Sequence, residues 1–127
     1  PAPRVMALAS KSGVNVTGSV PDVRPYVENA TVVIAPLRVA RGIQNKVLEA
    51  MSMSRAVVSS HEALDGLDVA NPPAEGVATP TEWTTAVVSL LQDPDRRRRL
   101  EERGRPFVTE YFRWDANVRT IEQLLVS

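Results

Sequence analysis

The chain has 127 residues, 43% of them apolar and 24% charged, which is enough length and apolar content for one folded domain. Its 15 basic and 15 acidic residues cancel to a formal net charge of zero, which disfavours a dedicated nucleic-acid binder. The sequence contains no cysteine and a single histidine, His61, which excludes a disulfide scaffold and argues against a zinc site.

Three short runs rich in β-branched residues predict buried strands in the first half of the chain. They cover residues 14–17, 31–35 and 56–59, and turn residues follow the first two. Almost wholly apolar runs of this length are typical of strands that helices cover on both faces. Helices are predicted at about 22–30, capped by Asp22, and at about 43–53. This alternation predicts an α/β fold with a parallel sheet.

A weaker strand and a well-marked helix are predicted next. The strand lies at about 76–78. Thr79 and Glu82 then have the spacing of a capping box, with Pro80 at the first helical position. This helix is predicted to end near Gln92, with Trp83 anchoring it in the core.

The remainder of the chain predicts two further helices. The first follows Asp93-Pro94 and ends near residue 103, because Gly104 and Pro106 interrupt the helical pattern. The second covers about 115–126, and Trp114 is interpreted as a second core anchor. The proline-containing segment 65–75 is the predicted flexible loop.

A candidate ligand site lies in the longest polar connection, residues 36–42, between the second predicted strand and the following helix. Ligands bind open parallel sheets at the carboxyl ends of the strands. The start of a helix adds unpaired N–H groups and the positive end of the helix dipole, both of which favour a phosphate. Gly42 permits close approach of a ligand to the backbone. The positive side chains nearby are Arg38, Arg41 and Lys46.

Glu49 follows Lys46 by three residues, which places both on one side of the predicted helix. A carboxylate at this position is suited to accept hydrogen bonds from the paired hydroxyls of a ribose. The residues therefore predict a phosphate or nucleotide pocket. The alternative is that Glu49 simply pairs with Lys46 on a solvated helix face.

Several stretches resemble one enzyme family. Residues 42–51, followed by 55–58, resemble the C-terminal half of retaining GT-B glycosyltransferases, more narrowly the sugar transferases associated with bacterial exopolysaccharide gene clusters. Residues 16–23 are similar to the family's second strand and its turn, and Asp93-Pro94 with the arginine-rich segment after it is similar to the family's C-terminal tail. The resemblance implies a Rossmann-like three-layer α/β/α fold, the C-terminal half of a GT-B fold.

The resemblance also implies roles for individual residues. The family has two glutamates separated by seven residues; the second, which binds the ribose, falls on Glu49, and the first falls on Arg41, a cation in place of a carboxylate. Backbone contacts to the diphosphate fall on Gly42 and Ile43. The nucleobase falls near Gly18, Ser19 and Val20, while Arg38, Arg41 and Lys46 stabilise the departing diphosphate. No metal or other cofactor is implied, since the nucleoside diphosphate sugar is the donor substrate.

The resemblance implies an incomplete enzyme as well. Residues 1–127 are expected to form a single truncated domain without the family's central first strand and without its N-terminal domain, which agrees with a chain that begins at Pro1. We expect this piece to be inactive alone and to expose two sheet edges, through which a homodimer would form. The implied location is cytoplasmic, with peripheral contact to the inner face of the cell membrane as a further expectation.

Other interpretations remain open at this point. The run of four arginines at 96–99, followed by Glu101 and Glu102, is typical of a solvated helix face, with contact to an anionic membrane as the alternative. His61 is interpreted as structural, and Arg41 as either a solvent-facing residue or a phosphate ligand. For the whole chain, the alternative to a transferase is a non-catalytic α/β module that binds a nucleotide or another protein.

Overall fold

The computed structural model describes residues 7–16, 21–22, 24–36, 41–67 and 69–126, with the backbone alone at 8–9, 41–44 and 115–126. After a 3₁₀ turn at Ala7–Ser10 come α1 (Arg24–Glu28), β1 (Val32–Ala35), α2 (Arg41–Ser52), β2 (Ala56–Ser60), α3 (His61–Asp65), β3 (Glu75–Val77), α4 (Pro80–Gln92) and α5 (Pro94–Val126). No helix in these ranges is long and apolar enough to cross a membrane.

The three strands form one parallel sheet in the order β1–β2–β3. The register aligns Val32 with Ala56 and Ser60 with Val77. Because β2 has a strand on each side and helices packed against it, all five of its residues are buried. The predicted α/β fold with a parallel sheet is confirmed, and its strand bounds lie within one residue of those expected.

The hydrophobic core consists of two clusters on opposite faces of the sheet. Val57 of β2 packs with Met51 of α2 and Val108 of α5, whereas its neighbour Val58 packs with Leu90 of α4. Successive residues of a strand point to opposite faces, so these two sets form separate layers. The arrangement is the three-layer α/β/α architecture, with helices covering both faces of the sheet.

The start of α4 follows local sequence rules. The Thr79 hydroxyl accepts from the Glu82 backbone N–H at 3.1 Å, while the Glu82 carboxylate accepts from the Thr79 backbone N–H at 3.2 Å. Pro80 occupies the first turn, where its missing N–H costs no helical hydrogen bond. The predicted capping box and the helix end at Gln92 are both confirmed.

The predicted break in the last helical region is wrong, because α5 continues through both Gly104 and Pro106. Glycine in a helix costs about 1 kcal/mol relative to alanine, and proline removes one backbone hydrogen bond. Gly104 lies directly against the backbone carbonyl of Met51, and a Cβ there would overlap that oxygen. Packing against α2 therefore outweighs the local preference for a break.

Trp114 is not a core anchor, since 67% of it is exposed. Val108 is the last residue of α5 that the structure describes as buried, and Phe112, four residues later, is already 53% exposed. Neither of the two core clusters among the described residues extends to Trp114, so a residue type that usually faces the core stays exposed there. Trp83 of α4, in contrast, is half-buried and packs against the core cluster that contains Val58 and Leu90, as predicted.

Two predictions about the connections also differ from the structure. Residues 14–16 form no strand, and Val14 is 41% exposed; a strand requires a neighbouring strand, and none of the three described strands pairs with these residues. The segment predicted as a flexible loop buries Leu67 and Pro73. It also follows a helix that was not predicted, α3, which is too short to show a helical pattern and is capped by the Ser60 hydroxyl.

Candidate functional site

The carboxyl ends of all three strands lie at one edge of the sheet. The register places Ala35 beside Ser59 and Ser60 beside Val77. Helix α3 begins directly after β2, and α4 begins three residues after β3, so each starts at this edge. Helix α2 also starts here, six residues beyond the end of β1. This is the edge at which parallel α/β sheets bind their ligands.

Helix α2 begins at Arg41, two residues earlier than predicted, so Gly42 and Ile43 lie within its first turn. The first four N–H groups of a helix have no carbonyl partner within that helix. The backbone of Gly42 and Ile43 therefore presents donors at the positive end of a 12-residue helix, at the ligand-binding edge. This arrangement is suited to an anion such as a diphosphate.

Lys46 and Glu49 lie on the outward side of α2. Val47, Ala50 and Met51 of the same helix are buried, which directs Lys46 and Glu49 away from the core. Lys46 is exposed and Glu49 is half-buried. Within the described part of the chain the two side chains form no ion pair with each other. The structure therefore does not support the alternative in which Glu49 simply pairs with Lys46.

A charged pair that sequence reasoning missed lies at the start of α1. The Arg24 guanidinium donates from Nε to Asp22 Oδ1 at 3.0 Å and from Nη2 to Asp22 Oδ2 at 2.9 Å. These hydrogen bonds hold the pKa of Asp22 below its ordinary value. The hydrogen bond to Asp22, and to a smaller degree the charge of Glu49, raise the pKa of Arg24. The start of α1 and the outward side of α2 thus lie within reach of each other's charge.

Four of the predicted site residues lie outside the described ranges: Gly18, Ser19, Val20 and Arg38. The side chain of Arg41 lies outside them as well. Among the described residues, Lys46 and Glu49 share the outward side of α2, and Arg24 lies close enough to Glu49 for their charges to interact. The signal for that pair in the sequence is an aspartate two residues before an arginine at a helix start, which a search for phosphate ligands does not single out.

His61 and the arginine run fit mainly structural roles. The His61 imidazole packs over Gly76, where a Cβ would come within 2.9 Å of its Nδ1. Arg97 pairs with Glu101 at 3.9 Å, one helical turn away, as expected for this run. Arg96 differs, because it reaches Glu75 of β3 and is half-buried.

Comparison with known proteins identifies the family. A family model described as "Glycosyl transferases group 1" matches residues 1–93, almost three quarters of the chain. Neither the curated proteins nor the solved structures contain a match to this chain. The matched region includes all three described strands of the parallel sheet and the whole of α2. The chain therefore belongs to the glycosyl transferases group 1 family.

Proposed function

We propose that the chain is the donor-binding half of a retaining GT-B glycosyltransferase of the exopolysaccharide type. The whole enzyme transfers a sugar, of the hexosyl class, from a nucleoside diphosphate to a polysaccharide or lipid-linked acceptor in the bacterial cytoplasm. The observation that carries this proposal is the position of Glu49. It is a carboxylate on the outward side of α2, not paired with Lys46, in the helix whose N-terminus opens at the ligand-binding edge.

In this proposal the diphosphate binds at the first turn of α2. The N–H groups of Gly42 and Ile43 donate to its oxygens, and Arg38, Arg41 and Lys46 contribute positive charge. When the bond between the sugar and the diphosphate breaks, negative charge grows on the leaving group. Preorganised donors and cations directed at that charge lower the barrier, because they need no reorganisation during the reaction.

The nucleoside in turn binds along the outward side of α2. Glu49 accepts hydrogen bonds from the two ribose hydroxyls, and the nucleobase lies near Gly18, Ser19 and Val20. The half-buried environment of Glu49 supports this role, since hydrogen bonds to a partly desolvated carboxylate are stronger than those in water. Arg24, whose pKa the charge of Glu49 helps to raise, lies close enough to Glu49 for the two charges to attract each other.

Sugar transfer further requires an acceptor site, which we assign to the N-terminal domain of the GT-B enzyme. We therefore propose that residues 1–127 bind the donor nucleotide without transferring sugar. Contact with an anionic membrane surface remains a proposal for the whole enzyme, where it would bring a lipid-linked acceptor to the site.

Calorimetric and thermal-shift titrations with UDP, GDP, ADP and CDP test this proposal. A ligand at ten times its Kd stabilises the folded chain by about 1.4 kcal/mol, which raises Tm by about 5 °C in a domain of this size. We expect one diphosphate to bind, and Glu49→Gln to weaken it about tenfold through loss of charge-assisted hydrogen bonds to the ribose.

Glu110→Gln is the matched control, because Glu110 is an exposed glutamate on α5 that pairs with Arg113 at 2.8 Å. It should leave nucleotide binding unchanged. Absence of binding by all four diphosphates, or equal weakening by the two substitutions, would contradict the proposal.

A further inference from the structure

A depression lies at the edge of the sheet opposite the start of α2. Its volume is about 610 Å³. It is lined by Glu75, Arg96, Arg99, Leu100, Glu102 and Arg103. Because Glu75 is the first residue of β3, this depression opens at the amino edge of the sheet.

Two of its arginines are held in place by neighbouring groups. Arg96 donates from Nε to Glu75 Oε1 at 2.9 Å and from Nη1 to the Ser89 hydroxyl at 2.9 Å. Arg103 donates from Nη2 to the backbone carbonyl of Asn71 at 3.0 Å. A guanidinium that is already oriented loses less conformational entropy when it binds a ligand.

Arg99 lies between these two arginines on the same side of α5, three residues after Arg96 and four before Arg103. Its side chain is exposed and makes no hydrogen bond or ion pair within the described part of the chain. Its N–H donors are therefore available to a ligand, together with those that Arg103 does not use for Asn71.

Arg97 and Arg98, the remaining arginines of the run at 96–99, already have partners within the chain. Arg97 donates to the carbonyl of Leu90 at 2.9 Å and pairs with Glu101, while Arg98 pairs with Asp95 at 3.9 Å. The available positive charge is thus concentrated at Arg99 and Arg103 rather than spread along the helix.

The acidic residues decide which kind of anion fits. Glu75 is already paired with Arg96, but no ion pair of Glu102 occurs among the described residues. Glu102 would repel a bare oxyanion, whereas it would accept hydrogen bonds from hydroxyl groups beside one. Leu100 adds an apolar surface for the C–H face of a ring.

We propose that this depression binds a sugar that carries an oxyanion, either a phosphate or a carboxylate. Arg99 and Arg103 bind the oxyanion, Glu102 accepts from the ring hydroxyls and Leu100 contacts the ring. The site is separate from the proposed donor site, since it opens at the opposite edge of the sheet.

Titrations followed by amide NMR shifts test this site with four probes: glucose 1-phosphate, glucuronate, glucose and inorganic phosphate. We expect saturable shifts at residues 99–103 with one or both of the charged sugars, and the stronger of the two identifies the oxyanion. Arg99→Gln should weaken that binding by about tenfold or more, as should Arg103→Gln, because each removes a charge-assisted contact.

Two further substitutions make the result specific. Arg98→Gln removes an exposed arginine of the same run that already pairs with Asp95, and it should leave binding unchanged. Glu102→Gln should weaken the charged sugar but not inorganic phosphate. Glu49→Gln should have no effect, which separates this site from the proposed donor site.

The proposal is overturned if neither charged sugar gives saturable shifts at 99–103, or if Arg98→Gln weakens binding as much as Arg99→Gln. It is equally overturned if inorganic phosphate or glucose binds as tightly as the charged sugar. Unchanged circular dichroism and Tm of the exposed-arginine variants establish that these results do not come from unfolding.

Discussion

At the scale of single residues, Ser54 has a backbone conformation that favours glycine. Its φ is +59°, in the left-handed region, and it lies two residues after the end of α2. This turn closes the helix, since the Arg55 N–H donates to the Ala50 carbonyl at 3.1 Å and the Ser54 N–H to Met51 at 3.0 Å. The Cβ atom of serine is sterically disfavoured in this conformation, whereas glycine has no Cβ atom.

We therefore expect Ser54→Gly to raise the free energy of unfolding by about 0.5–1 kcal/mol. Urea denaturation measures the change. Thr85→Gly is the control, because Thr85 is in the interior of α4, where glycine should destabilise the chain. Destabilisation by both substitutions would contradict the conformational explanation.

The spacing of residues along the chain predicts only part of the candidate site. Glu49 and Lys46 were expected on one side of a helix, and three-residue spacing is enough to establish that. Arg24 could not be found in the same way, because its proximity to Glu49 depends on how α1 packs beside α2. The roles of Glu49 and Lys46 in donor binding stay predictions.

At the scale of elements, α5 depends on one close contact. Gly104 is buried against the Met51 carbonyl of α2, and any side chain at this position would displace one of the two helices. Alanine gains about 1 kcal/mol in helix propensity, but overpacking against a backbone atom costs more.

We expect Gly104→Ala to lower the free energy of unfolding by about 1–3 kcal/mol, as measured by urea denaturation. Thr109→Ala is the control on an exposed position of the same helix, and its effect should stay within about 0.5 kcal/mol. A stabilised Gly104→Ala variant would show that α2 and α5 are not in close contact.

At the scale of the whole molecule, β1 is an edge strand of the described sheet, and an apolar groove lies beside it. The groove has a volume of about 430 Å³ and is lined by Ile34, Pro36, Trp83, Thr84, Val87 and Val88. Ile34 is 52% exposed. The β3 edge differs, because the charged Glu75–Arg96 pair lies at its start. An uncharged, apolar edge favours association, so β1 is the edge at which we expect a homodimer.

Sedimentation velocity tests this expectation. The chain should sediment as a dimer at high concentration, and Ile34→Lys should sediment as a monomer, because a lysine at the edge strand opposes strand pairing. Phe112→Lys is the control at a distant exposed apolar residue on α5, and it should remain dimeric. A monomeric parent chain, or equal loss of the dimer in both variants, would contradict pairing through β1.

The sequence by itself determined the features that depend on neighbours along the chain. The capping box of Thr79 and Glu82 and the alternation of buried strands with helices are encoded within a few residues, so local rules predict them. Tertiary structure decided the rest. The continuity of α5 through Gly104, the exposure of Trp114 and the pairing of Arg96 with Glu75 all depend on contacts between distant segments, whose packing energies outweigh local preferences.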